Sequence, residues 1–411
     1  MKGLDILEYS GEGYKRLANN GKWTFAGLNW APRFDEKNLM DLERHNLTDE
    51  IFVLVHGKAT LIIGEECERV EMEPLKYYNV RAGIWHNIVV SEDARVLIME
   101  SSNTSKDNTD YYLLSTGEVF KKYPEFEEVL PDTYLLKVPF GPVWTGIVLV
   151  KGEKNILIDS SHLEPEKYLI PALQMLGMKI SDIDWLLNTH VHGDHIGGHY
   201  SLVTKYGIKT ATLRSSADAL RDPVKVAVRV RTRFPKNSPA PQSYLKGVEP
   251  DLVLDEGELL EGRFYALATP GHDDDCLTWV DSLTGTAFTG DSLQANGTPT
   301  QGVGFYRSLP DYLGTLEKLS GAGLKNIVCA HEYDGIGCVV KGAEAVSAAL
   351  KYSAERVELY DRKIKEYVAS GVPVEDEPVS LALKLIGEVG CGMPEALFLA
   401  LHTVSEHLKK M

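Results

Sequence analysis

Residues 189–198, Thr-His-Val-His-Gly-Asp-His-Ile-Gly-Gly, constrain the fold of this chain more than any other stretch. They follow an apolar run, Ile183 to Leu187, that reads as a buried strand, so the histidines fall where a strand gives way to a helix. Side chains two apart on an extended chain point to the same side, which lets His190 and His192 converge on one ion. Gly193 is expected to permit a tight turn, after which Asp194 and His195 aim at a second point close by. Gly197 and Gly198 are expected to let the next helix pack close to the sheet. Single histidines are common in loops and cores. Three imidazoles and a carboxylate between His190 and His195 are instead the donor set of a divalent metal.

The remaining composition sets bounds. At 411 residues the chain is long enough for two or three domains, and 44% hydrophobic with 25% charged residues describes a soluble globular protein. No apolar run approaches a membrane span, and Met1-Lys2-Gly3-Leu4-Asp5 lacks the profile of a signal peptide, so no membrane partner is expected. Five cysteines (Cys67, Cys276, Cys329, Cys338, Cys391) form no CxxC pair, which predicts reduced thiols and a cytoplasmic location. The formal net charge of −16 repels phosphate backbones and disfavours nucleic acid as a partner unless a local basic patch exists.

Residues 1–115 read as β-rich. Glu50 to Val55 and Ala59 to Ile63 are apolar strands joined across His56-Gly57-Lys58, a hairpin signal. Strand-like runs follow at Tyr77 to Val80, Ile88 to Val90 and Arg95 to Met99, and short strands so spaced suggest a small barrel or sandwich. His45, Glu50 and Gly57, with the later Gly83-Ile84-Trp85-His86, resemble the two motifs of the cupin family. The resemblance implies a cupin-like β-barrel in which His45, Glu50 and His86 hold a further divalent metal. Glu43 stands where the first histidine of the motif belongs, and Arg81 replaces the usual proline. The alternative is a cupin-like module without metal, serving dimerisation or ligand binding.

Ser101 to Asp110 is small and polar, as a linker is, and residues 111–130 read as a poorly patterned bridge. Beyond it, strands are expected at Thr133 to Val138, Thr145 to Val150, Asn155 to Asp159, Phe264 to Ala268, Cys276 to Val280, Gly285 to Phe288 and Asn326 to Cys329. Helices are expected at about Glu164 to Leu176 and Asp311 to Leu319. This alternation points to layered α/β packing. In the tail, Leu350, Val357, Tyr360, Ile364 and Tyr367 recur at helical spacing until Gly371 and Pro373. Leu397, Leu401, Val404 and Leu408 form a second stripe after Pro394, and both stripes read as packing faces.

Three more ligand-type residues close predicted strands: His272 after Thr269-Pro270-Gly271, Asp291 after Gly290, and His331 after Ala330. Side chains at strand ends along one sheet edge converge, so seven donors are available, enough for two metals. The HxHxDH signature with these partners resembles the metallo-β-lactamase superfamily over residues 130–340. The resemblance implies an αββα sandwich in which His190, His192 and His272 hold one metal, Asp194, His195 and His331 hold a second, and Asp291 bridges them. Ala330 and Glu332 flank His331 where many relatives carry glycine. Keeping His192 favours the hydrolytic zinc branch, with two Zn2+ per catalytic domain and Fe or Mn as substitutes.

Bound metal lowers the pKa of water from 15.7 to about 7, and two ions roughly 3.5–4 Å apart can share a hydroxide and polarise a substrate oxygen. The expected activity is thus zinc-dependent hydrolysis of an ester, thioester, lactone or phosphodiester, with Asp194 and Asp291 orienting the nucleophile. The runner-up is a mononuclear iron sulfur dioxygenase, against which the bridging Asp291 argues. A non-catalytic ligand sensor would not require all seven donors. The expected domains are a cupin-like barrel (1–115), a catalytic domain (116–345) and a C-terminal helical extension (346–411), assembled as a homo-oligomer, in the first place a dimer.

For the small-molecule substrate, the stretch Val224 to Arg233 is the most distinctive insert. Its alternation reads as a strand while Asp222-Pro223 reads as a helix start. Arg229, Arg231 and Arg233 are candidate clamps for an anionic substrate, or else a solvated basic face. Trp144, Tyr306 and Tyr333 fall near strand ends or site loops, with Tyr306 and Tyr333 as candidate substrate contacts. His199, Asp273 and Asp274 are candidate partners of the ligands.

Overall fold

The computed structural model describes residues 5–105, 108–114, 119–120, 124–392 and 396–411. The chain separates into two compact units, Met1–Glu125 with Gln174–Gly177, and Phe126–Leu173 with Met178–Met411.

In the first unit alternating apolar strands form two sheets. One has the order Tyr14–Asn19, Trp23–Asn29, Arg95–Ser101, Glu50–His56, Tyr77–Val80. The other runs Val119–Phe120, Thr109–Leu113, Asp41–His45, His86–Val90, Ala59–Ile63, Glu68–Glu71. Leu28, Phe52, Leu54 and Ile98 of the first sheet share one buried core with Leu61, Ile88 and Val90 of the second, as period-two burial requires. Two expectations change here. Glu50–His56 and Ala59–Ile63 do not pair with each other, because Gly57 (φ 77°) turns the chain from one sheet into the other. Among the described residues no ladder joins the two sheets, so the unit is a two-sheet sandwich rather than a closed barrel. The expected linker is partly strand as well: Thr109–Leu113 pairs antiparallel with Asp41–His45, while Lys106 and Asp107 lie outside the described residues.

In the second unit a seven-stranded sheet runs Phe126–Leu130, Thr133–Phe140, Val143–Val150, Ile156–Ile158, Trp185–Leu187, Lys209–Leu213, Leu252–Leu254. Its first four strands are antiparallel and the rest parallel, so the connections after Ile158 cross over through helices. A five-stranded sheet follows: Phe264–Ala268, Leu277–Asp281, Thr286–Gly290, Asn326–Tyr333, Gly337–Lys341. Leu135, Val148, Ile156 and Leu187 of the first sheet pack with Phe264, Leu277, Trp279 and Phe288 of the second. The opposite face of the five-stranded sheet, through Val280, Ala287 and Ile327, is covered by Leu309–Gly321 and by Ala343–Ala369, Val379–Val389 and Leu397–Leu408. The tail helices therefore belong to the same core as that sheet.

Several expected elements differ in extent. The helix expected from Glu164 is Leu169–Met175, and Val379–Val389 is a third tail helix that the stripes did not reveal. Pro394 lies outside the described residues. The basic insert is helical, Pro223–Thr232, with proline at its start as the Asp222-Pro223 signal requires. All five cysteines are free thiols, and among the described residues no helix is long and apolar enough to cross a membrane.

Candidate metal centre

The strand Trp185–Leu187 ends at Asn188, whose carbonyl accepts from the Trp279 indole at 2.9 Å. The chain then leaves the sheet, and His192 caps the short helix Gly193–Ile196. Between the two histidines Val191 turns the other way, into a cluster with Ile196, Val226, Val230, Phe305 and Phe398. Its N–H donates to Asp275 Oδ2 at 2.8 Å. Gly193 is an ordinary helical residue rather than a turn; a Cβ there would press on the Gln242 amide. Gly197 and Gly198 do permit close approach, since a Cβ on Gly197 would lie 2.5 Å from the His162 carbonyl carbon.

The distant donors arrive at the same place. Gly271 (φ 134°) fits against the Tyr312 backbone and presents His272. Gly290 (φ 52°) fits against Thr189 and presents Asp291. His331 sits within the strand Asn326–Tyr333, where a register shift between Val328 and Tyr333 breaks the ladder and frees its side chain. Three overlapping groups result, each with donor atoms within 4.8 Å of one another: His190, His192, His272; His190, His195, Asp291; and Asp194, His195, His331. Asp291 faces both ends of the cluster. Its Oδ2 is 3.5 Å from His272 Nε2, and its Oδ1 is 3.5 Å from His331 Nε2 and 3.6 Å from His195 Nε2. Asp194 Oδ2 lies 3.4 Å from His331 Nε2.

These donors fit a divalent cation by two observations. His190 Nε2, His195 Nε2 and Asp291 Oδ1 are buried without a hydrogen-bond partner, a costly state that a coordinated ion relieves. The outward ring nitrogens are meanwhile fixed. His195 Nδ1 lies 2.8 Å from Asp159 Oδ2, His192 Nε2 3.1 Å from Asp273 Oδ2, His331 Nδ1 2.7 Å from the Trp144 carbonyl, and His272 Nδ1 3.0 Å from the Phe305 carbonyl. Each partner orients a ring so that its other nitrogen faces the centre.

The charges follow the same geometry. Burial pushes His190 well below its ordinary pKa, with the neighbouring imidazoles adding to the effect. Burial alone would raise Asp194, but His195 and His331 outweigh it and hold the carboxylate far below its usual range. Burial likewise opposes protonation of His195, yet Asp194, Asp291 and Asp159 carry it up to about 10. The cluster without metal thus holds anionic carboxylates against imidazoles of both kinds.

Asp159 is the partner that sequence reading did not single out. It sits at φ 61°, and its two oxygens accept from the Thr189 N–H (2.8 Å), the Thr189 hydroxyl (2.7 Å) and His195. An aspartate just past the strand Ile156–Ile158 was the available signal. Of the other expected partners, Asp273 also takes ion pairs from Arg229 and Arg307, and Asp274 pairs with Arg229. His199 is buried and bonds Ser160 Oγ at 2.7 Å, one position removed from the donors.

A cavity of about 610 Å3 opens onto His192, Asp194, His272, Asp291 and His331. Of the three candidate arginines it is lined by Arg231 alone. Arg229 is engaged by Asp273 and Asp274, and Arg233 by Ser405 and Glu406, so both are structural contacts rather than clamps. Tyr306 is fully buried with its hydroxyl 2.6 Å from His407 Nε2, and Tyr333 is buried with its hydroxyl on Gln294. Neither lines the cavity: Tyr306 is held in packing, and the Tyr333 hydroxyl is engaged by Gln294 and Asp291 behind the donors. The cavity walls that sequence reading missed include Val191, Phe305, Phe398 and Gln242.

In the first unit Glu43, His45 and His86 come together, as do His45, Glu50 and Glu100. Here the groups satisfy one another: Glu50 Oε2 is 2.9 Å from His86 Nε2 and 3.2 Å from His45 Nε2.

Comparison with known proteins agrees with this architecture. The sequence profile of the Metallo-beta-lactamase superfamily matches residues 138–331. A hydroxyacylglutathione hydrolase of Rhodopseudomonas palustris is 30% identical over 205 residues, covering 49% of this chain and 67% of that protein. The mitochondrial persulfide dioxygenase ETHE1 of Mus musculus is 29% identical over 215 residues, covering 49% and 70%. The chain spans between 58% and 70% of the length of curated relatives such as these. A metallo-beta-lactamase family protein from Thermus thermophilus shares the fold, with 22% identity, a TM-score of 0.53, and coverage of 69% of this chain and 94% of that one. By its HxHxDH loop, its three distant donors and its two packed sheets, the chain belongs to the metallo-beta-lactamase superfamily.

Proposed function

We propose that the second unit is a zinc-dependent hydrolase with a two-metal centre, acting on an ester-type bond. A thioester is the first candidate, given the likeness to hydroxyacylglutathione hydrolases. The observation that carries this reading is the placement of Asp291, one oxygen toward His272 and the other toward His195 and His331. A carboxylate with one oxygen toward each group of histidines is placed to serve two cation positions at once. His190, His192 and His272 would hold one zinc and Asp194, His195 and His331 the other, supplying Lewis acidity and water acidified to a pKa of about 7.

The chain's own residues do the rest. Asp194, held ionised by its histidines, accepts a hydrogen bond from the attacking water and aims its oxygen; so depressed a carboxylate is a weak base. The outer partners Asp159, Asp273, Trp144 and Phe305 prevent the imidazoles from rotating. Apolar walls of the cavity limit bulk water near the reacting carbonyl. In balance, a C–O bond forms from water to the acyl carbon, the C–S or C–O bond breaks, and the proton released from water goes to the leaving thiolate or alkoxide.

Metal analysis of the full chain, with ester, thioester, lactone and phosphodiester substrates, tests this. About two zinc ions in the second unit with hydrolysis are expected, and His190→Ala removes one ion and nearly all turnover. One iron with oxygen consumption on a persulfide would establish the dioxygenase reading, which the likeness to ETHE1 keeps in view. For the first unit the cupin-like reading is a metal held by His45, Glu50 and His86, with Glu43 close to the two histidines.

A further inference from the structure

Resting on the hydrolase reading, the cavity beside the metal centre identifies a class of substrate. Among the described residues its carboxylates are Asp194 and Asp291, both already assigned to the centre. Away from them the lining carries two cations, Arg231 and Lys236. Arg229 on the same helix and Arg233 just past its end are tied by carboxylates, whereas Arg231 has no ion pair or hydrogen bond among the described residues. It is half-buried, and its guanidinium stacks 4.5 Å from the ring centroid of Phe398. A guanidinium seated over an aromatic ring has lost part of its freedom before an anion arrives, and its N–H groups stay available to that anion.

The helix that carries it is not loose. Val226 and Val230 anchor Pro223–Thr232 in the cluster that contains Val191, the residue between His190 and His192. Packing therefore fixes the helix backbone that carries Arg231 against the chain that carries His190 and His192. Two buried hydroxyls on the lining, Ser238 Oγ and Thr300 Oγ1, also lack a partner. Val191, Val230, Phe305 and Leu399 make the intervening wall apolar.

We propose that the substrate is an acyl compound bearing an anionic group, a carboxylate or phosphate. Arg231 receives the anion, an uncharged spacer lies on the Val191–Phe305 wall, and the scissile bond reaches the metal centre. Arg231 is then a specificity residue that never touches the reacting carbon. A neutral substrate of the same length lacks the anchor and leaves the half-buried guanidinium unpaired, so it binds more weakly.

The test compares 4-nitrophenyl hydrogen adipate with its methyl-capped diester, in which one added methyl removes the charge, on the metal-loaded full chain. Arg231→Gln is expected to raise KM for the anionic ester about tenfold or more with kcat unchanged. The capped ester should change by no more than about twofold, and Arg231→Lys should recover part of the loss. Equal losses on both esters, or none on the anionic one, would overturn the assignment. If the wild-type chain cleaves neither ester, calorimetry with monomethyl adipate decides the anion site, while the metal analysis and the wider substrate panel judge the hydrolase reading. Binding weakened about tenfold by Arg231→Gln upholds it. Equal binding by both proteins, or none by the wild type, overturns it.

Discussion

Replacing Asp159 by asparagine changes one atom type and nearly nothing in volume, yet the structure makes it a severe test of how the centre is held. Every group around this carboxylate is a donor: the Thr189 N–H on Oδ1, and the Thr189 hydroxyl and His195 Nδ1–H on Oδ2. Asparagine offers one acceptor and one donor. With its oxygen toward His195, its NH2 faces the Thr189 N–H and leaves a buried donor unmet, at about 1–3 kcal/mol. With its oxygen toward Thr189, its NH2 faces His195 Nδ1 and moves the ring proton to Nε2, the atom 3.6 Å from Asp194 and Asp291. Either orientation weakens one cation position. The expected loss is about 10–100-fold in affinity for one of two ions, or about 1.4–2.8 kcal/mol. Asparagine accepts the φ of 61° as readily as aspartate, so backbone strain does not confound the result. Competition with a chromophoric chelator reads the two affinities, and circular dichroism checks the fold. A folded variant that binds both ions with wild-type affinity would refute the tautomer argument.

Three further outcomes are expected. His195 is carried from 6.5 to about 10 in the metal-free chain, by three carboxylates that overcome its burial. Its proton stabilises the metal-free fold in full below pH 6.5, and that contribution fades as pH rises through about 10. Metal must displace the proton, so the gap in Tm between metal-loaded and metal-free protein should widen across that window; a constant gap contradicts it. Gly290→Ala forces a Cβ at φ 52° onto the Thr189 side chain and should lower stability by about 1–3 kcal/mol in thermal unfolding, with metal affinity falling as Asp291 shifts. His86→Ala tests the first unit: an ion beyond those of the second unit should be lost, and unchanged metal content would show that the Glu50 cluster is satisfied by its own hydrogen bonds.

Much of the centre was legible because its chemistry is local. His190, His192, Asp194 and His195 lie within one turn of chain, and His272 and Asp291 each follow a strand that apolar alternation announces. What was not legible depends on three-dimensional company. Nothing in the alternation of Val224 to Arg233 reveals that Arg229 and Arg233 meet carboxylates from residues 273–274 and 406, while Arg231 lies over the Phe398 ring. Tyr306 and Tyr333 neighbour site loops in sequence, and either packing or substrate contact fits that position; the tail helices bury them. The hairpin at residues 56–58 misled for a similar reason: a short turn fixes where the chain reverses, not which sheet the next strand joins.

The alternation at His190-Val191-His192 has a wider consequence. One tripeptide supplies two donors on one side and, on the other, the knob on which the Arg231 helix rests. The two donor imidazoles and the Arg231 helix thus share a single mechanical part. Changes of volume anywhere under that helix would be felt as a change in the spacing of His190 and His192. A lineage seeking a new substrate would meet the least resistance by altering the outer rim, at positions such as Lys236, and leaving that inner wedge alone.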